Sequence, residues 1–249
     1  MTTLAVLADP PRPGLVLPRL SPPLDPDGAA TLYAASLADT FRAVTRSGGD
    51  LLVNYRADDD LPAAFRGDET AETAVRSVAH EALDDLADVR FEVQVGSTFA
   101  ARAGNTVTHL LREEGVDSVA ILDGTAPFLT RPAIDAAAMK LRTSEVVLAP
   151  ASRGHVAYAG FTAPIDFEGA WTPPEVATLA DRAIDSELDV DFIERQPVLR
   201  TATDLATVVA EVEARRRAGR HHPPATAAAI DQLGLRVGER DDERRVFVD

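Results

Sequence analysis

Cysteine is missing from all 249 residues, and lysine occurs once, at Lys140. The first absence excludes disulfides, thiolate metal centres and cysteine nucleophiles. No apolar run approaches the ~20 residues that a membrane-spanning helix requires. A G-x-G-x-x-G turn, the glycine-rich fingerprint of dinucleotide sites, does not occur either. The stretch Met1–Ala8 carries no basic residue and turns polar at Asp9, so a secretory signal is not expected and the expected location is cytoplasmic.

The chain does have an excess of acid. Forty Asp and Glu face twenty-five Lys and Arg, for a net charge of −15. Solubility alone does not demand so lopsided a surface. Acidic enrichment with lysine nearly absent fits a salt-adapted, haloarchaeal-like cytoplasm, where screening weakens self-repulsion. Nucleic acid is not an expected partner, because basic residues cluster only at Arg215-Arg216-Arg217 and Arg220. A membrane is not expected as a partner either.

Strand and helix signals alternate along the chain, as in a mainly parallel sheet covered on both faces. Strands are expected at 3–7, 51–55, 89–95, 118–122, 145–148, 156–161 and 190–195. Helices are expected at 28–46, 69–86, from Ser97 as cap to Arg112, and at 131–142, 173–186 and 203–217, the last with Thr203 as a candidate cap. Past Gly219, Pro223-Pro224 opens an Ala-rich segment that runs on to Val246-Phe247-Val248. The expected organisation is a domain over 1–218 and an extension over 219–249 packed on it, its end a packing appendage or a weak edge strand.

Two stretches carry candidate chemistry. After the first strand, Asp9–Leu20 holds Arg12, Gly14 and Arg19; glycine lets backbone approach a ligand closely, and arginines clamp phosphates bidentately. A proline-stiffened surface loop with solvated arginines is the structural alternative. The apolar run Val119–Leu122 leads straight into Asp123-Gly124-Thr125-Ala126-Pro127. Ligands in open α/β sheets collect beyond the carboxyl ends of strands, where such a carboxylate can meet a metal. It can equally cap the turn it stands in.

Together these stretches resemble a small glycosyltransferase-like family, the transferases associated with radical-SAM and selenodomain proteins. Pro11-Arg12-Pro13-Gly14 and Leu17-Pro18-Arg19-Leu20 follow its P-x-P-G and K-T-R-L runs, with Arg19 kept. Asp123–Leu129 follows its G-S-D-S-P segment, with Thr125 where the family has its metal-binding Asp. Val146–Gly160 follows V-V-L-G-P-A and G-G-Y-Y-L-I-G, with Arg153 replacing an Asp and His155 the second glycine. Trp171-Thr172 and Thr201–Leu205 match later landmarks, with Arg200 in place of another Asp.

The resemblance implies an α/β, GT-A-like nucleotide-diphospho-sugar transferase fold and a nucleotide or nucleotide-sugar partner. It implies Arg12, Gly14, Arg19, Thr125, Arg153 and His155 as ligand-binding candidates. Asp123 is the candidate ligand for Mg²⁺ or Mn²⁺, since hard oxygen donors suit both ions. Glycines and prolines persist while charged motif members are replaced, which points to a transferase-like protein with a degenerate metal site and reduced or lost catalysis. Two alternatives stand beside it: a non-catalytic binding or interaction protein on the same scaffold, and metal-free anion chemistry built on Arg19, Arg153 and His155. Donor, acceptor and oligomeric state are not encoded in any motif.

Overall fold

The computed structural model of the chain describes residues 2–240 and 243–248; Met1 and, in the C-terminal extension, Asp241, Asp242 and Asp249 lie outside the described residues. Its strands are β1 (Thr2–Ala8), β2 (Asp50–Tyr55), β3 (Arg90–Val93), β4 (Ser118–Asp123), β5 (Val146–Pro150), β6 (Val156–Phe161) and β7 (Val190–Phe192). They form one seven-stranded sheet in the order β3-β2-β1-β4-β6-β5-β7. Every neighbouring pair is parallel except those involving β6. The exception follows from chain length: five residues separate β5 from β6, too few for a crossover, so the second strand must return antiparallel.

Helices cover both faces. On one lie α1 (Pro26–Thr45), α2 (Ala71–Ala82), α4 (Arg131–Lys140) and α6 (Ala202–Arg217); on the other lie α3 (Phe99–Arg112) and α5 (Glu175–Asp185). Burial on both sides explains why central strands read as unbroken apolar runs: Leu4–Ala8 and Val119–Leu122 are buried throughout.

Several boundaries differ from those expected. Thr98, not Ser97, caps α3, its hydroxyl accepting from the Ala101 N–H at 3.1 Å. Thr201, not Thr203, caps α6, accepting from the Asp204 N–H at 3.3 Å. α2 stops at Ala82 because Leu83 turns extended, and β7 is three residues long.

The C-terminal segment contributes α7 (Pro224–Gln232) and a hairpin, β8 (Leu235–Arg240) with β9 (Glu243–Val248). The last strand is therefore half of its own two-stranded sheet, not an edge of the main one. Asp39, buried in α1, accepts from the Ala225 and Thr226 N–H groups at 3.0 and 2.8 Å. A carboxylate at a helix N-terminus satisfies donors that have no partner within the helix, and this one fixes α7 against α1.

Candidate functional site

Parallel strands deliver their carboxyl ends to one edge, so Asp9, Arg56, Gln94 and Asp123 follow β1, β2, β3 and β4 there. β6 runs the other way and begins at that same edge, which adds Ser152, Arg153 and His155 from its connection with β5.

Asp123 anchors the middle of the edge. Its Oδ1 accepts from the Thr125 N–H at 2.9 Å and the Thr125 hydroxyl at 2.7 Å. Its Oδ2 accepts from Arg200 Nε at 3.1 Å and Nη2 at 2.6 Å. The Leu199 N–H donates to the Thr125 carbonyl at 2.8 Å, holding the segment before α6 beside the end of β4. Gly124 lies against α1: a Cβ there would stand 2.8 Å from Leu37 Cδ1, and its carbonyl accepts from the Ser36 hydroxyl at 2.8 Å. Small residues at both positions let the loop reach this depth.

The side chains of Asp123 and Arg200 are 12% and 32% exposed, so their attraction is only partly screened. The nearby Asp123 charge, and further off Glu175 and Asp204, raise the Arg200 pKa above its ordinary value. Asp123 is thus both the turn cap that its sequence position allows and one half of an ion pair.

A divalent ion fits this arrangement poorly. Both carboxylate oxygens already have donors, and a guanidinium supplies the positive charge a metal would bring. Among the described residues no group of three or more His, Cys, Asp and Glu side chains could hold a metal ion.

Beside this pair stand two more fully engaged carboxylates. Glu175, at the start of α5, meets His155 Nδ1 at 2.9 Å and accepts from the Val156 N–H at 3.1 Å. Asp204, in the first turn of α6, accepts from the Ser152 hydroxyl at 2.5 Å and the Thr201 hydroxyl at 2.8 Å. His155 therefore has a partner, twenty residues away in sequence. Arg153 adopts φ +58 and Gly154 φ +78 in the tight turn between; a Cβ on Gly154 would come within 2.8 Å of Pro174 Cβ.

The N-terminal candidates divide. Arg12 donates to the Phe65 carbonyl at 2.6 Å, to Asp58 at 3.0 Å and to the Glu69 carbonyl at 2.5 Å, so it braces the loop over 57–70. Gly14 has φ +79 and faces the Phe65 ring, which closes the same brace. Arg19 is exposed on a short 3-10 turn packed against α1 and α6, and Arg153 is exposed in the turn between β5 and β6. Neither has a hydrogen-bond or ion-pair partner among the described residues.

Motif reading singled out Asp123, Thr125, Arg153 and His155, and the structure brings them to one edge. It missed Glu175 and the tethering role of Arg200. Arg200 carried one signal, a basic residue where an acidic one was expected; Glu175, after Pro173-Pro174, carried none.

No protein-family model and no curated protein matches the chain. Solved structures do. A Desulfovibrio desulfuricans G20 protein assigned as a nucleotide-diphospho-sugar transferase superimposes with TM-score 0.74 at 20% identity, over 93% of this chain and 94% of that one. A Leptospira borgpetersenii cytidylyltransferase gives 0.53 at 11%, over 93% and 94%. A 4-diphosphocytidyl-2C-methyl-D-erythritol synthase from Anaerococcus prevotii gives 0.51 at 13%, over 86% and 96%. The chain has the nucleotide-diphospho-sugar transferase fold. Among the described residues no helix is long and apolar enough to cross a membrane.

Proposed function

We propose that this chain binds a nucleotide or nucleotide-sugar at the carboxyl edge of its sheet without a divalent metal ion, as a transferase-like protein whose glycosyl or nucleotidyl transfer is reduced or lost. One observation carries the reading: Arg200 lies on Asp123 at 2.6 Å, the position from which a metal would otherwise bridge to a diphosphate. A tethered guanidinium neutralises that carboxylate but leaves it no free oxygen for a cation. Arg19 and Arg153, both exposed and unpaired among the described residues, are the donors for the phosphates, and Thr125 holds the turn of Asp123. The neighbouring folds, one a cytidylyltransferase and one a diphosphocytidyl-methylerythritol synthase by name, support nucleotides as the class to test. We place the protein in a high-salt cytoplasm on its charge balance.

Calorimetry with nucleoside diphosphates, triphosphates and nucleotide-sugars in high salt, with EDTA or with Mn²⁺, tests this. Affinity unchanged by Mn²⁺ is expected, and Arg200→Asp is expected to introduce a Mn²⁺ dependence. Wild-type affinity that rises several-fold with Mn²⁺, and falls back in Asp123→Ala, would overturn the metal-free reading. No binding of any nucleotide would leave the scaffold to an interaction role.

The His155–Glu175 contact favours one variant of this reading, metal-free catalysis. A carboxylate that holds Nδ1 fixes the ring and leaves Nε2 to exchange a proton with a ligand. His155→Gln separates the two: it abolishes turnover if transfer persists, and leaves nucleotide affinity within about two-fold if binding is the whole function.

A further inference from the structure

Basic residues that lie far apart in the sequence converge on one cavity. It measures about 470 Å³ and lies on the helical face, walled by α1, α6, the turn into α4 and the segment before α7. Arg42, Arg46, Arg131, Arg215 and His221 line it, and among the described residues of its wall only Asp39 is acidic. In a chain of net charge −15, four guanidinium groups around one carboxylate reverse the local sign. That carboxylate is buried and already accepts from the Ala225 and Thr226 N–H groups. Of the four arginines, only Arg215 belongs to a basic cluster along the chain; folding brings the others to it.

The four differ in how much donor capacity is spent. Arg42 is tied to the Ala82 and Glu81 carbonyls at 2.9 and 3.3 Å and to Asp39 at 3.4 Å. Arg215 lies over the Phe128 ring, 5.2 Å from its centroid, and pairs with Glu211 at 2.7 Å. Arg131 engages only Nε, with Asp135 at 3.1 Å. Arg46 is exposed and makes no side-chain hydrogen bond or ion pair among the described residues. Exposed pairs four residues apart on one helix are weak and compete poorly with a multiply charged ligand.

Helix electrostatics accounts for only part of this set. Arg42 and Arg46 stand at the end of α1, where the negative pole favours cations. Arg131 is the first residue of α4, at a positive pole, and no acidic residue occupies that turn. A cation there is unfavourable until an anion meets both it and the helix start. Thr130, which also lines the cavity, is the N-cap residue, and its hydroxyl makes no capping bond.

We propose that this cavity binds a small anion carrying two or more phosphoryl groups, with Arg46 and Arg131 as principal donors and Arg215 and His221 completing the wall. Guanidinium forks match phosphoryl oxygens bidentately, and linked phosphoryl groups reach arginines held on different helices. The volume lies in the range of small-molecule sites. The cavity is separate from the sheet edge: Thr125, Arg200, His155, Ser152 and Thr201, which hold the carboxylates there, do not line it. A bound anion would bridge α1, α4 and α6 to the segment that leads into α7, and so clamp the C-terminal extension onto the domain.

Calorimetry on the full chain with tripolyphosphate, pyrophosphate, inorganic phosphate and sulfate, in EDTA and at low and high KCl, tests the proposal. Tripolyphosphate is expected to saturate one site per chain and to bind roughly ten-fold more tightly than inorganic phosphate or sulfate. Its affinity should fall as salt rises. Arg46→Gln combined with Arg131→Gln is expected to weaken it by roughly ten-fold or more, and Arg46→Lys with Arg131→Lys to restore part of the loss. Both side chains are exposed, so the ligand-free variants should unfold at the wild-type midpoint. Amide exchange over 221–233 should slow when tripolyphosphate binds the wild type and stay unchanged in the Gln variant. Absence of saturable binding overturns the proposal, as does binding that survives the Gln variant. Binding lost instead in Arg19→Gln with Arg153→Gln also overturns it, by assigning the anion to the sheet edge. No nucleotide enters the experiment, so its failure is separate from that of the metal-free reading.

Discussion

The two halves of the sheet edge are built on opposite terms. Around β4, β5 and β6, the carboxylates of Asp123, Glu175 and Asp204 each have donors on both oxygens. Around β1, β2 and β3, Asp9, Arg56, Gln94 and Arg102 each keep one buried atom without a hydrogen-bond partner, although Asp9 Oδ1 stands 3.6 Å from Arg56. A satisfied network of charges fixes geometry, because each group holds its neighbours in place and losing one strands another. An unsatisfied set does the reverse and stores unmet hydrogen-bonding capacity at one place. Motif positions drew attention to Asp123, Thr125, Arg153 and His155 in the first half; the unpaired atoms of the second half became visible only in the fold.

The comparison breaks most visibly at Arg200. Replacing it with Ala strands the largely buried Asp123 carboxylate and is expected to cost about 3 kcal/mol, read as a lower urea midpoint at constant slope. A loss below about 0.5 kcal/mol would mean that the pair is solvated and the half is not a scaffold. Glu175→Ala comes next, at about 2 kcal/mol, since the buried Val156 N–H loses its acceptor and His155 its anchor. Its His155 ring resonances should broaden as the ring gains freedom, which NMR would detect.

Acid sharpens the picture of the 57–70 loop that Arg12 braces. The Ala71 N–H first, and then Arg12, hold the Asp58 carboxyl below its usual range. For an acid with a lowered folded pKa, the stabilisation is complete above the unfolded value near ~4 and is lost as pH falls through the folded value. The 57–70 loop should therefore become more accessible to hydrogen exchange below about pH 4, and Asp58→Asn should remove that pH step. Smallest of all is Arg102→Met: deleting a guanidinium that makes no hydrogen bond through Nε is expected to leave stability within about 0.5 kcal/mol of wild type. A stability loss as large as that of Arg200→Ala would make Arg102 a structural residue and erase the contrast between the halves.

Much of the fold was legible along the chain because its signals are local. Apolar runs such as Val119–Leu122 announce strands buried on both faces, and the turn that follows can be placed from Gly124 and Pro127 alone. Caps were placed less well. Ser97 and Thr203 are as able as Thr98 and Thr201 to cap a helix by residue type, and only the path of the backbone chooses between them. Arg12 illustrates the same limit for the site: its residue type suits a phosphate, but 46 to 57 residues later the chain returns with Asp58 and two carbonyls to occupy it.

The sequence by itself determined the layered α/β architecture, the glycine and proline turns at the carboxyl ends of the strands and the candidacy of Asp123, because each depends on residues close together in the chain; Thr125 and His155 became candidates through the family resemblance. Tertiary structure alone decided that Arg200 meets Asp123 across 77 positions, that Glu175 holds His155, and that Arg56, Gln94 and Arg102 each bury one side-chain atom without a hydrogen-bond partner. The physical reason is that hydrogen-bond satisfaction belongs to a place in space, and a sheet brings to one edge residues that no spacing rule connects.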